Sequence, residues 1–265
     1  MYLFSPPNKD SRVDHMGTYT RSLPVSLDRM YENALDWEHL PHLHDSSFTD
    51  IECLDAGGWG WRARVKDPRG RESLLELRLD RDCRRWITRN IEGPSQGAEI
   101  WTHVFVTAPH QLDLVIDFFV PGVEPEAREK VGRAYATAYE RLYDEDVQMM
   151  TERQRQLDMR VDGPRVEDTL SIPLPDDAQL PLPVSLSQRD FLVNRTAGQW
   201  VVYPAACPHQ MGPLSSELSA AGEVRCPWHG YTFSVHTGEC TSGASCRFGR
   251  VPNLSVGAEV LTLTW

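Results

Sequence analysis

The sequence predicts an α+β fold: a large antiparallel sheet closed by one long helix, followed by a small all-β domain. Three observations carry this. Residues 51–119 alternate apolar and polar side chains with turn signals between the runs. Residues 124–158 contain no proline after Pro125 and repeat apolar positions at helical spacing. From Val184 onward, short β-type runs alternate with Gly/Pro turns.

Thr18–Val25 reads as a first strand. Ser26 then offers an N-cap to the helix formers Leu27–Glu32. In the strand region, turns are marked by Ala56-Gly57-Gly58, Asp67-Pro68-Arg69-Gly70, Glu92-Gly93-Pro94-Ser95 and Ala108-Pro109-His110. Trp59, Trp61, Ala63 and Val65 share one strand face; Trp101, His103, Phe105 and Thr107 share another. Pro121-Gly122 ends the sheet. In the long helix, Val131, Tyr135, Ala138, Leu142, Asp146 and Met149 form one stripe, with the carboxylate of Asp146 in its middle. Residues 159–182, rich in proline and polar side chains, read as a linker. The domain reading is thus 1–158, linker 159–182, and 183–265.

The chain has 265 residues, 40% hydrophobic and 25% charged, an ordinary globular balance that excludes a disordered chain, a coiled coil or a collagen repeat. With 27 basic and 38 acidic residues the net charge is −11, which opposes binding to a phosphate backbone. No apolar run nears the ~18 residues of a membrane span, and the first ten residues lack a basic and apolar leader pattern. A cytoplasmic protein with no nucleic-acid or membrane partner is the expectation. In that compartment the six cysteines (Cys53, Cys83, Cys207, Cys226, Cys240, Cys246) do not suggest disulfides.

Four of these cysteines crowd the C-terminal end, and two stand in a metal-ligand pattern: Cys207-Pro208-His209, sixteen residues, then Cys226-Pro227-Trp228-His229. Two thiolates suit one ferric iron and two imidazoles a second; a Cys2His2 zinc site is the competing reading. Proline after each Cys, glycine after the last His, and strand-type flanks instead of a finger helix count against zinc. The whole run, Cys207 to Leu214, Cys226 to Phe233 and His236 to Cys240, resembles the Rieske [2Fe–2S] domain. The resemblance implies that Cys207 and Cys226 hold one iron and His209 and His229 the other. Respiratory-chain members carry a second cysteine beside each ligand pair, forming a disulfide. Here those places hold Gly212 and either Pro227 or Trp228, as in the oxygenase and ferredoxin branch. The remaining cysteines, Cys53, Cys83, Cys240 and Cys246, read as structural or free thiols.

A second cluster lies at Asn33-Ala-Leu-Asp36-Trp-Glu-His39-Leu-Pro41-His42-Leu-His44. On an unbroken helix, His39 and His44 would stand about 140° apart, poor for one metal. Pro41 argues for a break that lets them converge. Two imidazoles and a carboxylate describe the facial triad of non-haem iron oxygenases, and Asp146 is the best third ligand. Chance histidines and an Asp146–Arg pair are the alternatives. The order Asn-x-x-Asp-x-x-His-x-x-x-x-His resembles the mononuclear-iron motif of Rieske non-haem iron oxygenases. Residues 18–158 resemble their helix-grip, START-like catalytic domain, with the domain order reversed.

The resemblance implies iron at His39, His44 and Asp146, with Asp36 linking His39 to His229 as an electron and proton conduit. It implies Asn33 near the iron without binding it, and His42 turned away. It further implies a mono- or dioxygenase or demethylase that uses O2. A ferredoxin or NAD(P)H-dependent reductase would supply electrons. A pocket walled by Trp61, Trp86, Trp101, His103, Phe105 and Phe118 would suit a small apolar or ring-bearing substrate. A homo-oligomer, a head-to-tail trimer above all, is implied; a linker of about 20 residues reaches roughly 60 Å, enough for same-chain or neighbour-chain pairing. The rival is a non-enzymatic Rieske electron carrier fused to a ligand-binding grip domain.

Overall fold

The computed structural model describes residues 13–159, 168–214 and 217–265. They form two units, the first ending at Met150 and the second running from Thr151 to Trp265.

In the first unit, strands β1 (Val13–Leu23), β2 (Asp50–Gly57), β3 (Gly60–Lys66), β4 (Glu72–Asp80), β5 (Arg85–Glu92), β6 (Glu99–Ala108) and β7 (Gln111–Pro121) make one antiparallel sheet. Its order is β1-β7-β6-β5-β4-β3-β2. Six strands follow one another as a meander, and β1 closes the far edge against β7. Strand β1 begins before the expected Thr18, because a bulge between His15 and Gly17 absorbs the glycine without ending the pairing.

Between β1 and β2 lie α1 (Leu27–Leu35) and the one-turn α2 (Leu40–Leu43). Ser26 caps α1 by accepting from the backbone N–H of Arg29. The Trp61 indole donates to Ala34 O at 2.9 Å and ties α1 to β3.

Helix α3 (Arg128–Met159), preceded by a 3-10 turn at Pro125–Ala127, lies over the inner sheet face. Gly132 sets how close: a Cβ there would sit 2.1 Å from Met16 O of β1, so only glycine permits the crossing. Between helix and sheet, Phe118 packs against Tyr135 and Tyr139, with ring centroids 5.3 and 5.4 Å apart. On the helix face toward the core Tyr143 is buried and Val131, Tyr135 and Tyr139 are partly buried; Ala138 and Leu142 are half-buried as well. Large tyrosine rings fill the concavity of the twisted sheet, where alanine at the same depth would leave a void.

The second unit has three small sheets. They are β9 (Leu182–Leu186), β10 (Arg189–Thr196) and β11 (Gln199–Pro204); then β12 (Glu223–Arg225) with β13 (Thr232–Ser234); and β8 (Thr169–Pro173), β15 (Val260–Thr264) and β14 (Asn253–Val256). Part of the segment expected as linker is therefore a strand: β8 pairs along β15, and its alternate residues Leu170 and Ile172 pack on the core of Phe191, Val193, Leu261 and Leu263. Its proline-rich flanks concealed a period-two pattern only five residues long. No helix among the described residues is long and apolar enough to cross a membrane.

Candidate metal centres

The first centre is built from α1, α2 and α3. Helix α1 ends at Asp36, whose backbone N–H closes the last turn on Glu32 O and Asn33 O. His39 and His44 are the residues that bound α2 at either end. Pro41 sits in the first turn of that short helix, where its missing N–H costs nothing. It therefore starts α2 and does not break the chain between the histidines. Convergence comes from the two rings flanking a single turn; their centroids are 5.1 Å apart and nearly perpendicular.

Both rings face Asp146 on α3. His44 Nε2 is 3.1 Å and His39 Nε2 3.5 Å from Asp146 Oδ1. All three side chains are buried, and one ligand atom from each lies within 4.8 Å of the others. Asn33 donates to the same Oδ1 at 2.9 Å. Burial alone would raise the Asp146 carboxyl, but His44, the charge of His39 and the Asn33 amide hold it below the ordinary range. Burial likewise opposes charge on His44, yet Asp146 and Glu145 raise its pKa. A carboxylate and two imidazoles, buried and convergent, fit a divalent iron as a 2-His-1-carboxylate set.

The far side of each imidazole faces a second carboxylate. His39 Nδ1 is 3.6 Å from Asp36 Oδ2, and His44 Nδ1 is 2.5 Å from Glu145 Oε2. The Glu145 contact fixes which nitrogen of His44 carries the proton and leaves its Nε2 for a metal, whereas His39 Nδ1 makes no hydrogen bond and Asp36 is only an ion-pair neighbour. The role of Glu145 was not foreseen. The only available signal was its place beside Asp146, and a helix turns that neighbour about 100° away.

These residues edge a cavity of about 120 Å3, walled mainly by Trp61, Trp86, Leu75, Leu77, Tyr139 and Tyr143. Trp61 and Trp86 stand where expected. Phe118 is in the core and not on the cavity wall. Trp101, His103 and Phe105 are on the opposite face of the sheet: Ile100, Thr102 and Val104 of β6 are the buried ones, and Phe105 is 54% exposed. The alternation is right but its parity is reversed, so all three side chains leave the pocket together.

The second centre lies on two matching loops. One follows β11; the other joins β12 to β13. In each, the Cys N–H donates to the carbonyl five residues on: Cys207 to Gly212 at 2.7 Å and Cys226 to Tyr231 at 2.8 Å. The N–H four residues on returns to the Cys carbonyl at 2.9 Å, from Met211 and from Gly230. Those two residues share a left-handed backbone, φ 64° and 69°. Cys207 and Cys226 are buried and hydrogen-bonded to each other. That contact raises the Cys207 thiol and lowers Cys226. The rings of His209 and His229 meet edge to face at 4.6 Å, flanked by Tyr231. Two paired thiols and two adjoining imidazoles fit the asymmetric ligation of a [2Fe–2S] cluster. The Trp228 ring occupies the space beside Gly212: a Cβ on Gly212 would lie 2.6 Å from Trp228 Cδ2. Of the two candidates Pro227 and Trp228, it is Trp228 that stands against Gly212.

The remaining cysteines form no disulfide and are free: Cys53, Cys240 and Cys246 half-buried, Cys83 exposed.

Comparison with known proteins bears on each unit. Residues 168–252 match the Rieske [2Fe–2S] domain family. Pheophorbide a oxygenase, chloroplastic, of Oryza sativa subsp. japonica is 34% identical over 68 residues, covering 24% of this chain and 13% of that protein. Apoptosis-inducing factor 3 of Homo sapiens is 36% identical over 56 residues, 21% of this chain and 9% of that protein. The chain thus spans about a tenth of the length of the curated relatives it matches. Among solved structures, the Zhui aromatase/cyclase of Streptomyces sp. R1128 aligns over 55% of this chain and 98% of its own, at 16% identity and TM-score 0.47. Norcoclaurine synthase of Thalictrum flavum aligns over 62% and 98%, at 16% identity and TM-score 0.41. The chain joins an N-terminal antiparallel sheet with one long helix to C-terminal residues that match the Rieske [2Fe–2S] domain family, the order expected from its sequence.

Proposed function

We propose that this protein is the oxygenase component of a Rieske-type system, acting on a small, largely apolar substrate. The observation that carries this reading is the meeting of His39, His44 and Asp146 at the edge of an aromatic-walled cavity. A carrier of electrons alone has no use for that triad.

His39, His44 and Asp146 would hold the iron, which would supply the oxidising chemistry for hydroxylation or oxidative demethylation with O2. The chain's own residues do the rest. Asp36 and Glu145 orient the two imidazoles. Trp61, Trp86 and the apolar wall hold the substrate and exclude water. Asp36 would pass an electron and proton from the Rieske histidine His229 to His39, the partner of a head-to-tail trimer being one source of that histidine. A ferredoxin or NAD(P)H-dependent reductase feeds the Rieske domain, and the system works in the cytoplasm.

Iron quantitation tests the reading. Fully loaded protein should hold about three irons per chain, two from the cluster and one at the triad. A His39→Ala variant should keep the cluster's visible absorption and lose both the third iron and substrate-dependent O2 uptake. Two irons per chain in the loaded wild type would make this protein an electron carrier fused to a binding domain.

A further inference from the structure

The protein carries a net charge of −11, yet one face of its second unit is basic. Arg189, Arg247 and Arg250 together line a groove of about 460 Å3. Its floor includes Ala206 and Pro208, the two residues that flank the cluster ligand Cys207. Arg247 and Arg250 are exposed. Among the described residues, none of the three guanidinium groups has a carboxylate within ion-pair distance. The groove's own carboxylate, Asp190, is engaged by Ser185 at 2.6 Å and Arg155 at 3.5 Å.

Two of the arginines are also held in place. Arg189 and Arg250 stack over the Trp265 ring, 5.9 and 5.8 Å from its centroid. Arg189 Nε is buried with no hydrogen-bond partner. Three cations with no carboxylate partner, two of them held against Trp265, stand beside the loop of the buried Cys207. On an acidic protein they make a local field of opposite sign, which steers an anionic partner to this face and away from the rest.

We propose that the Arg189–Arg247–Arg250 face is the docking site for an acidic one-electron donor protein, which delivers its electron to the cluster through the Cys207 loop. The step balances simply: the reduced donor loses one electron, and the diferric cluster gains it to become Fe(III)Fe(II). The inference rests on the Rieske domain and not on the mononuclear iron, so the two readings fail separately.

The test is stopped-flow reduction of the holoprotein's cluster by two donors: an acidic plant-type [2Fe–2S] ferredoxin, and the methyl viologen radical cation. The ferredoxin rate constant should fall steeply with ionic strength in the wild type. In Arg247→Glu/Arg250→Glu it should drop about 10- to 100-fold at low salt and lose that salt dependence. Reduction by methyl viologen radical should be unchanged or faster, because a cationic donor no longer meets like charge. Both substituted residues are exposed; the milder Arg247→Gln/Arg250→Gln pair should give an intermediate rate. Equal ferredoxin rates in variant and wild type, a salt-independent or absent wild-type reaction, or slowing of both donors alike would each overturn the docking role.

Discussion

The imidazole of His44 is held from its outer side by Glu145: Nδ1 and Oε2 are 2.5 Å apart, while Nε2 faces Asp146 at 3.1 Å. Adjacent residues of one helix thus clasp the two ends of one ring. Asp146 lies on the buried stripe of α3, and Glu145 beside it is partly exposed, with 30% of its side chain open to solvent. The ring bridges that angular gap because His44 is held at the end of the short helix α2.

Removing Glu145 should therefore loosen the metal without removing a ligand. Glu145→Ala should weaken iron binding by about 10- to 100-fold. Glu145→Gln keeps an acceptor for Nδ1–H and should lose less. Iron retained per chain against a graded chelator measures this; unchanged retention in Glu145→Ala would show that the contact orients nothing.

Glu76 supplies a stability test away from both centres. It is buried on the outer sheet face, directly opposite Arg62 of β3 and beside Arg78, whose Nε donates at 2.8 Å. Burial raises its pKa, but the two arginines outweigh that and hold the carboxyl below its usual 4.5. A depressed carboxyl stabilises the fold above its unfolded-state pKa, and the gain fades as pH falls through the folded-state value. Because Arg62 and Arg78 are each over a third exposed, screening limits the effect. Glu76→Gln should cost about 1–2 kcal/mol at neutral pH. The Tm gap to wild type should narrow below about pH 4.5. A gap constant from pH 7 to 3.5 would remove the ion pair as its cause.

What was legible in the sequence follows the range of the interactions. The expected cluster ligands lie in one three-residue and one four-residue pattern whose chemistry is local, and in the structure Cys207 meets Cys226 and His209 meets His229. The sheet was legible as alternation, and the long helix as its stripe. Face parity was not legible: Trp101, His103 and Phe105 share a side whichever side is buried, and only the packing of Ile100, Thr102 and Val104 under α3 decides it. The partners Glu145 for His44 and Gly212 for Trp228 were hidden for a related reason. Each depends on two segments meeting in space, and neither leaves a mark in its own neighbourhood. Strand β8 was masked by prolines that suit a strand's ends as well as a linker.

The Gly212–Trp228 contact predicts how the cluster loops fail. A methyl group at Gly212 would press on Cδ2 and Cε3 of the Trp228 indole, a part of the ring that cannot swing clear without moving the loop that carries Cys226 and His229. Gly212→Ala should destabilise the second unit by about 1–3 kcal/mol and lower cluster occupancy. Combining it with Trp228→Ala should restore part of the loss, since the obstacle is gone. Visible absorption per chain and thermal melting report the two effects; full occupancy in Gly212→Ala would mean the loops are not packed as described.

Asp36 allows the sharpest separation of structure from turnover. Its helix-ending role is played by its backbone N–H, which closes α1 on Glu32 and Asn33 whatever the side chain. Its carboxylate is 5% exposed and points at His39 Nδ1 from 3.6 Å, near enough to close to a hydrogen bond with a small shift. Asp36→Ala should thus keep α1, the cluster absorption and most of the third iron, with affinity down by no more than about tenfold. If Asp36 passes charge between the Rieske histidine and the mononuclear iron, product formation should fall by about 100-fold or more. Cluster reduction by an external donor should stay normal, because that step precedes the relay. Asp36→Asn, which can still accept from Nδ1–H but cannot carry the proton, should resemble Asp36→Ala in turnover and wild type in iron retention. Normal turnover in the alanine variant would leave Asp36 as an orienting group alone and require another path for the electron.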